Sequence, residues 1–235
     1  MVYGIILAGG NGTRMGQTDK PKQFLLLNNV PIFIYTVKQF LLNDKIAKTI
    51  ICAPKKWHTF IKDNIEKYII NTDNIIIVES GLTRNDTMMN GCNYIKDNYG
   101  INNNDIVVTH DSVRPFITEQ MINDNINYAA KYGAVTTVIE AIDTIITSTD
   151  HKTITSTPIR KNVFHVQTPQ SFNLNKLIKL FNVLTEKEKE TLTDGSKIFT
   201  IHNEPVYLVR GDKSNIKITT KDDLLIAKTL LKKKL

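Results

Sequence analysis

This sequence predicts an α/β fold built on a mainly parallel sheet, and three observations support that. Short β-branched apolar runs alternate with longer amphipathic segments from the first residues onward, the pattern of consecutive βα units. The first apolar run, Val2–Leu7, passes directly into a glycine-rich stretch, which lets backbone approach a ligand at a strand end. The fourth run, 105–109, delivers His110 and Asp111 to its C-terminal end, where open α/β sheets place their ligand crevices.

The elements follow in order. After strand Val2–Leu7 and the glycine-rich loop, Pro31 opens a helix running to about residue 42, with Ile34, Val37 and Leu41 on one face. Strand Lys48–Ala53 comes next, then a helix to about Tyr68 and a strand at 75–78. Residues 86–97 read as a helix, 105–109 as a strand, Glu119–Tyr132 as a helix and 134–141 as a further strand. Residues 143–167 are rich in Thr and β-branched side chains without helical period, so an extended β-arm leaving the sheet is expected there. Helices at 173–184 and 185–192, a strand at 206–209 and a last helix opened by Thr220 and Asp223 complete the chain. Asparagine-rich pieces near 71–74 and 102–104 read as surface turns. No repeat or linker divides the chain, so one domain over 1–235 is expected.

Composition narrows the function class. A hydrophobic share of 41% and a charged share of 23% are ordinary for a globular protein. No run of about 18 apolar residues is present, and the N-terminus lacks a basic segment, so neither membrane insertion nor a signal peptide is expected. Cys52 and Cys92 have no metal-type spacing and read as core thiols. A cytoplasmic location is the expectation. The net charge of +7 comes from scattered lysines, with one cluster at Lys232, Lys233 and Lys234. No aromatic-interleaved basic stripe accompanies it, so a nucleic-acid partner is not expected. Against 25 lysines stand five arginines, Arg14, Arg84, Arg114, Arg160 and Arg210. Four of them fall in the motifs described next, a distribution that favours phosphate recognition by the guanidinium fork.

The richest motif runs from Leu7, Ala8, Gly9 and Gly10 through Gly12, Arg14 and Gly16 to Lys20-Pro21-Lys22-Gln23. The dinucleotide fingerprint GxGxxG fails here, since Met15 holds the third glycine position, and the GxxxxGK[ST] phosphate loop fails as well. What remains is a glycine-rich loop bearing Arg14 and Lys22. Taken alone it would also suit a solvated surface loop.

LAGGNGTRMG followed by PKQF resembles the signature of the cytidylyltransferases that act on methylerythritol phosphate or ribitol phosphate. The resemblance continues in order through GLTRNDT at 81–87, HDSVRP at 110–115, QTPQ at 167–170, Thr193-Asp194 and NIKIT at 215–219. It implies a three-layer, Rossmann-like nucleotidyltransferase fold. It also implies a CTP site in which Leu7, Ala8, Gly9 and Gly10 meet the nucleotide through backbone. Gly81, Leu82, Thr83, Arg84, Asn85, Asp86 and Thr87 would hold cytosine and ribose, with Ser112 as a further contact. Alone, 81–87 would read as a strand-to-helix loop capped by Asn85 or Asp86.

By the same resemblance Arg14 and Lys22 are the catalytic cations, stabilising charge as an acceptor phosphate attacks the α-phosphorus of CTP. Arg160 and Lys217 would orient the acceptor phosphate, and Asp111 would meet a Mg²⁺ carried on the triphosphate. His110 is expected to be structural, because a phosphate monoester needs no base to become a nucleophile. By resemblance to enzymes whose arm embraces a second subunit, a homodimer is implied in which Arg160 serves the neighbouring site. LAGG rather than LAAG, HDSVRP rather than HDAARP, and Thr193-Asp194-Gly195-Ser196-Lys197 lean toward D-ribitol 5-phosphate as the acceptor. The product would then be CDP-ribitol for polymers of the teichoic-acid or capsule type, with a reductase as possible partner. 2-C-methyl-D-erythritol 4-phosphate is the alternative acceptor. A non-catalytic CTP-binding or nucleic-acid-binding protein is the alternative of another class.

Overall fold

The computed structural model describes residues 1–10, 12, 15 and 19–232. Strand β1 (Val2–Leu7) leads, past a 3₁₀ turn at Lys22–Phe24, into a small hairpin of β2 (Leu26–Leu27) and β3 (Val30–Pro31). Then follow α1 (Ile32–Leu41), β4 (Lys48–Ala53), α2 (His58–Tyr68), β5 (Ile75–Glu79), α3 (Arg84–Tyr99) and β6 (Ile106–Asp111). The second half holds α4 (Glu119–Tyr132), β7 (Ala134–Glu140), β8 (Phe164–Asn173), α5 (Leu174–Asn182) and α6 (Glu186–Glu190). It ends with α7 (Gly195–Ile201), β9 (Tyr207–Arg210) and α8 (Lys221–Lys232).

The main sheet runs β5-β4-β1-β6-β8-β7-β9. β5, β4, β1 and β6 are parallel, and β8 runs against β6 and β7. The sheet is therefore mainly parallel, with β8 as the reversed strand. Both faces are covered, which is why the first strands read as continuous apolar runs. Ile6 and Ile51 face a core of Phe33, Val37, Phe40, Ile61, Ile122 and Ile126 from α1, α2 and α4. Ile5 and Ile50 face Met88, Cys92, Ile95, Leu177, Ile198 and Phe199 from α3, α5 and α7. This is the three-layer, Rossmann-like α/β arrangement that the sequence predicts. Both cysteines are free and wholly buried, and burial pushes the Cys52 thiol up to about 12.

Several details differ from expectation. The short hairpin turns at Asn28 and Asn29, both with positive φ (48° and 63°), a conformation asparagine tolerates. α3 starts two residues earlier than predicted, because Thr83 rather than Asn85 or Asp86 is its N-cap. β8 begins at Phe164, inside the span 143–167 expected for the arm, so the QTPQ block lies in the sheet. Upstream of it, the extended segment carries one β-bridge, Thr147 to Ser156. α7 was not expected as a helix; Asp194 caps it by accepting from the Lys197 N–H at 3.1 Å.

Candidate active site

The site forms where β1 and β6 end side by side, with Leu7 paired to Asp111. After β5 the chain crosses back to place β6 beside β1, so this is a point where strand order reverses. The Ser112 N–H donates to the Leu7 carbonyl at 3.1 Å, joining the two strand ends. Gln23 fastens the glycine-rich loop: its Nε2 donates to the carbonyls of Ala8 at 2.7 Å and Gly10 at 2.9 Å. That fixes the turn carrying Lys22, which is itself buried.

The opposite wall is the β5–α3 loop. Thr83 and Asp86 form a capping box, Thr83 Oγ1 accepting from the Asp86 N–H at 3.1 Å and Asp86 Oδ2 accepting from the Thr83 N–H at 3.0 Å. Thr87 Oγ1 accepts from the Gly81 N–H at 3.1 Å and closes the loop on itself. A Cβ at Gly81 would lie 2.3 Å from Asp86 Cβ, so only glycine allows this closure. The 16-residue helix α3 thus points its N-terminus, the end that favours anions, at the cleft.

Asp111 is the electrostatic centre. Arg84 donates from Nε and Nη2 to Asp111 Oδ1, both at 3.2 Å. Lys217 Nζ lies 2.8 Å from Oδ2, and Arg114 Nε 3.8 Å from the same oxygen. The Asp111 N–H donates to Thr168 Oγ1 at 3.2 Å. Burial pushes the Asp111 carboxyl up, but Arg84, Lys217 and Arg114 together outweigh it and hold it well below the usual carboxylate range. Three cations facing one carboxylate leave an excess of positive charge over the cleft, which encloses about 300 Å³. Such a field draws and holds an anionic ligand.

His110 lies on the other side of the strand end. It is wholly buried against Phe40, with ring centroids 5.7 Å apart, and its Nε2 is 3.1 Å from the Arg114 carbonyl. Burial pushes its imidazole down to about 4. Neutral and facing the core, it has no route to a substrate.

The profile of the IspD family, 2-C-methyl-D-erythritol 4-phosphate cytidylyltransferase, matches residues 2–233. The chain belongs to the IspD family. Among solved structures it resembles 4-diphosphocytidyl-2C-methyl-D-erythritol synthase of Anaerococcus prevotii at 30% identity and a TM-score of 0.80, covering 98% of this chain and 96% of that one. It also resembles the 2-C-methyl-D-erythritol 4-phosphate cytidylyltransferase of Francisella tularensis at 29% identity and a TM-score of 0.80, covering 97% and 98%. A Thermus thermophilus structure, at 20% identity and a TM-score of 0.74 over 99% and 100% of the two chains, shares the fold. The protein is accordingly a cytidylyltransferase of the IspD type, on the nucleotidyltransferase version of the Rossmann-like sheet.

Most residues that the sequence nominates for the site line one cleft. Leu7, Gly9, Gly10, Lys22, Gly81, Leu82, Thr83, Arg84, Thr87, Asp111, Ser112 and Lys217 all border it. Ala8 lies wholly buried behind the loop, and the Asp86 side chain serves the capping box. Asn85 is buried too, with Oδ1 lacking a partner among the described residues. Arg14 lies outside the described residues. Arg160 borders a different groove, with Arg210 and Lys213, and its Nη1 donates to the Ile142 carbonyl at 3.2 Å. Sequence reasoning gave no individual role to Gln23 or Arg114; both sit within quoted blocks, which was the only signal available.

Among the described residues no group of three or more His, Cys, Asp or Glu is placed to hold a metal ion. Asp111 is a single carboxylate. That donor set suits a Mg²⁺ that arrives on a triphosphate and keeps its waters, not an ion caged by the protein. No described helix is long and apolar enough to cross a membrane.

Proposed function

We propose that this chain transfers the cytidylyl group of CTP to the phosphate of a small polyol phosphate. An oxygen of the acceptor phosphate attacks the α-phosphorus, the bond to the bridging oxygen of the β-phosphate breaks, and pyrophosphate leaves. The observation that supports this best is the convergence of Arg84 and Lys217, both bordering the cleft, on Asp111 beside the glycine-rich loop. Fixed cations of this kind stabilise charge on phosphoryl oxygens without reorganising. In this reading Leu7 to Gly10, the loop 81–87 and Ser112 hold the nucleotide. Arg14 and Lys22 lower the barrier, and Lys217 orients the acceptor phosphate. Asp111 would hold Mg²⁺, which would neutralise part of the triphosphate charge when bound.

Arg160 acts in this reading on the neighbouring subunit of a homodimer. Two observations support it: within one chain Arg160 borders a groove apart from the cleft, and the segment around it exposes Ile142, Ile146, Ile154 and Ile159.

For the acceptor, the names of the similar structures favour 2-C-methyl-D-erythritol 4-phosphate and give no support to ribitol phosphate. A specific observation keeps D-ribitol 5-phosphate as the second reading. Gly9, Ser112 and Val113, where the chain departs from LAAG and HDAARP, all border the cleft. A Cβ at Gly9 would lie 2.9 Å from Ser80 Cβ, so packing accounts for that glycine, and Ser112 and Val113 carry the distinction. A reductase supplying the acceptor belongs to this second reading alone. Pyrophosphate release is measured with CTP and each polyol phosphate separately. The better acceptor is expected to win by at least about tenfold in kcat/KM, a difference of about 1.4 kcal/mol. Release with neither acceptor sinks the proposed reaction.

A further inference from the structure

Lys217 sits on a stretch, 211–219, with no helix or strand, yet its ammonium is held 2.8 Å from Asp111. A long flexible side chain on an irregular segment keeps such a position only if the backbone beneath it is fixed. The bonds that fix it centre on Asn215, a wholly buried residue. Asn215 Nδ2 donates to the Thr168 carbonyl at 2.8 Å and to Gln167 Oε1 at 3.3 Å. Gln167 Nε2 in turn donates to the Asp212 carbonyl at 2.9 Å, and the Asn215 carbonyl accepts from Arg114 Nη1 at 2.8 Å. Both amide orientations are set by carbonyls, since a flip of either would turn oxygen toward oxygen. A Cβ at Gly211 would lie 2.5 Å from Gln167 Oε1, so the start of the stretch packs directly on the same glutamine.

We propose that Asn215 is a positioning residue: its carboxamide latches 211–219 to β8 and thereby holds Lys217 over the cleft. Thr168 makes the latch specific to the site. Its hydroxyl accepts the Asp111 N–H and its carbonyl accepts Asn215 Nδ2, so the acid and the segment bearing its lysine partner are anchored to one residue of β8. The kinetic consequence rests on the reading of Lys217 as an acceptor-phosphate contact.

Asn215→Ala, Lys217→Ala and the double variant decide it, with KM measured for CTP and for the better polyol phosphate. Hydrogen exchange is followed at the Ile218 amide, which donates to the Val113 carbonyl at 2.9 Å. Asn215→Ala is expected to raise the acceptor KM about tenfold, to leave the CTP KM within about twofold, and to speed Ile218 exchange about tenfold or more. The double variant is expected to be no worse than Lys217→Ala, because Asn215 acts through that lysine. Unchanged Ile218 exchange overturns the latch whatever the kinetics, and full additivity of the two kinetic losses overturns positioning through Lys217. A Lys217→Ala variant with unaltered acceptor KM counts against the acceptor reading, while exchange still decides the latch. If Asn215→Ala does not fold, Gln167→Met removes one arm of the latch and is read by the same exchange and kinetic measurements.

Discussion

Acidification from about pH 7 to about pH 5 should cost this protein roughly 2 kcal/mol of stability through a single imidazole. His110 is wholly buried, and with a carbonyl opposite Nε2 its hydrogen must reside there, leaving Nδ1 bare. Nδ1 is buried and has no partner among the described residues, so protonation would create an unsatisfied donor in the core. Burial is the largest cause of the shift; Arg114 and Arg84 add to it, and the Arg114 carbonyl and Asp111 oppose it. The folded value of about 4 lies below the ordinary 6.5. The unfolded chain therefore binds the proton first, and stability present above about pH 6.5 is lost as pH falls toward the folded value. The full span is worth about 3 kcal/mol, of which roughly 2 is spent by pH 5. Carboxylates enter only below that window, near pH 4. Urea unfolding at several pH values reads the slope in the wild type and in His110→Gln, whose amide can still donate to Arg114. The variant should lose the slope even if its stability at pH 7 also changes. A flat wild-type profile, or a slope that survives in His110→Gln, would refute the assignment.

Asp111→Asn should lower stability by about 2–3 kcal/mol, below the usual range for a broken buried pair because Arg84 and Lys217 reach solvent; thermal and urea unfolding measure it. Chelation of divalent cations should abolish pyrophosphate release, and Asp111→Asn should raise the Mg²⁺ concentration needed for half activity. An unchanged requirement would remove Asp111 from the metal. Arg14→Ala and Lys22→Ala should each lower kcat by about a hundredfold or more while CTP affinity changes far less. Equal losses in both would mean that these cations only bind the ground state.

Sequence patterns recovered the elements whose stabilising partners are local. α4 has the expected bounds because Thr118 caps it and Gly133, at φ 84°, ends it. β4 is legible because both of its faces are apolar and covered. β8 was not legible as a sheet strand because its inner half, Gln167 to Ser171, is polar yet buried. Its side chains are satisfied by groups far along the chain. The two N–H groups of Gln170 Nε2 are shared among acceptors on Thr136, Asp194 and Ser196 at 3.0, 2.9 and 2.7 Å, and Ser171 Oγ donates to Asn125 at 3.3 Å. Hydrophobic periodicity cannot detect such a strand, because its burial is made tolerable by partners that sequence order does not reveal.

The same limit applied to the arginines. Their scarcity among so many lysines pointed to phosphate, but Arg114 is spent on the protein itself, bridging the Asn215 carbonyl and Asp111. Arg84 also faces Asp111 through two of its nitrogens, and its Nη1 is buried with no partner among the described residues. The carboxylate that gathers these cations keeps their mutual repulsion tolerable while the cleft holds no anion. In the proposed reaction a triphosphate would then meet cations already in place, and little of its binding energy would go into assembling them.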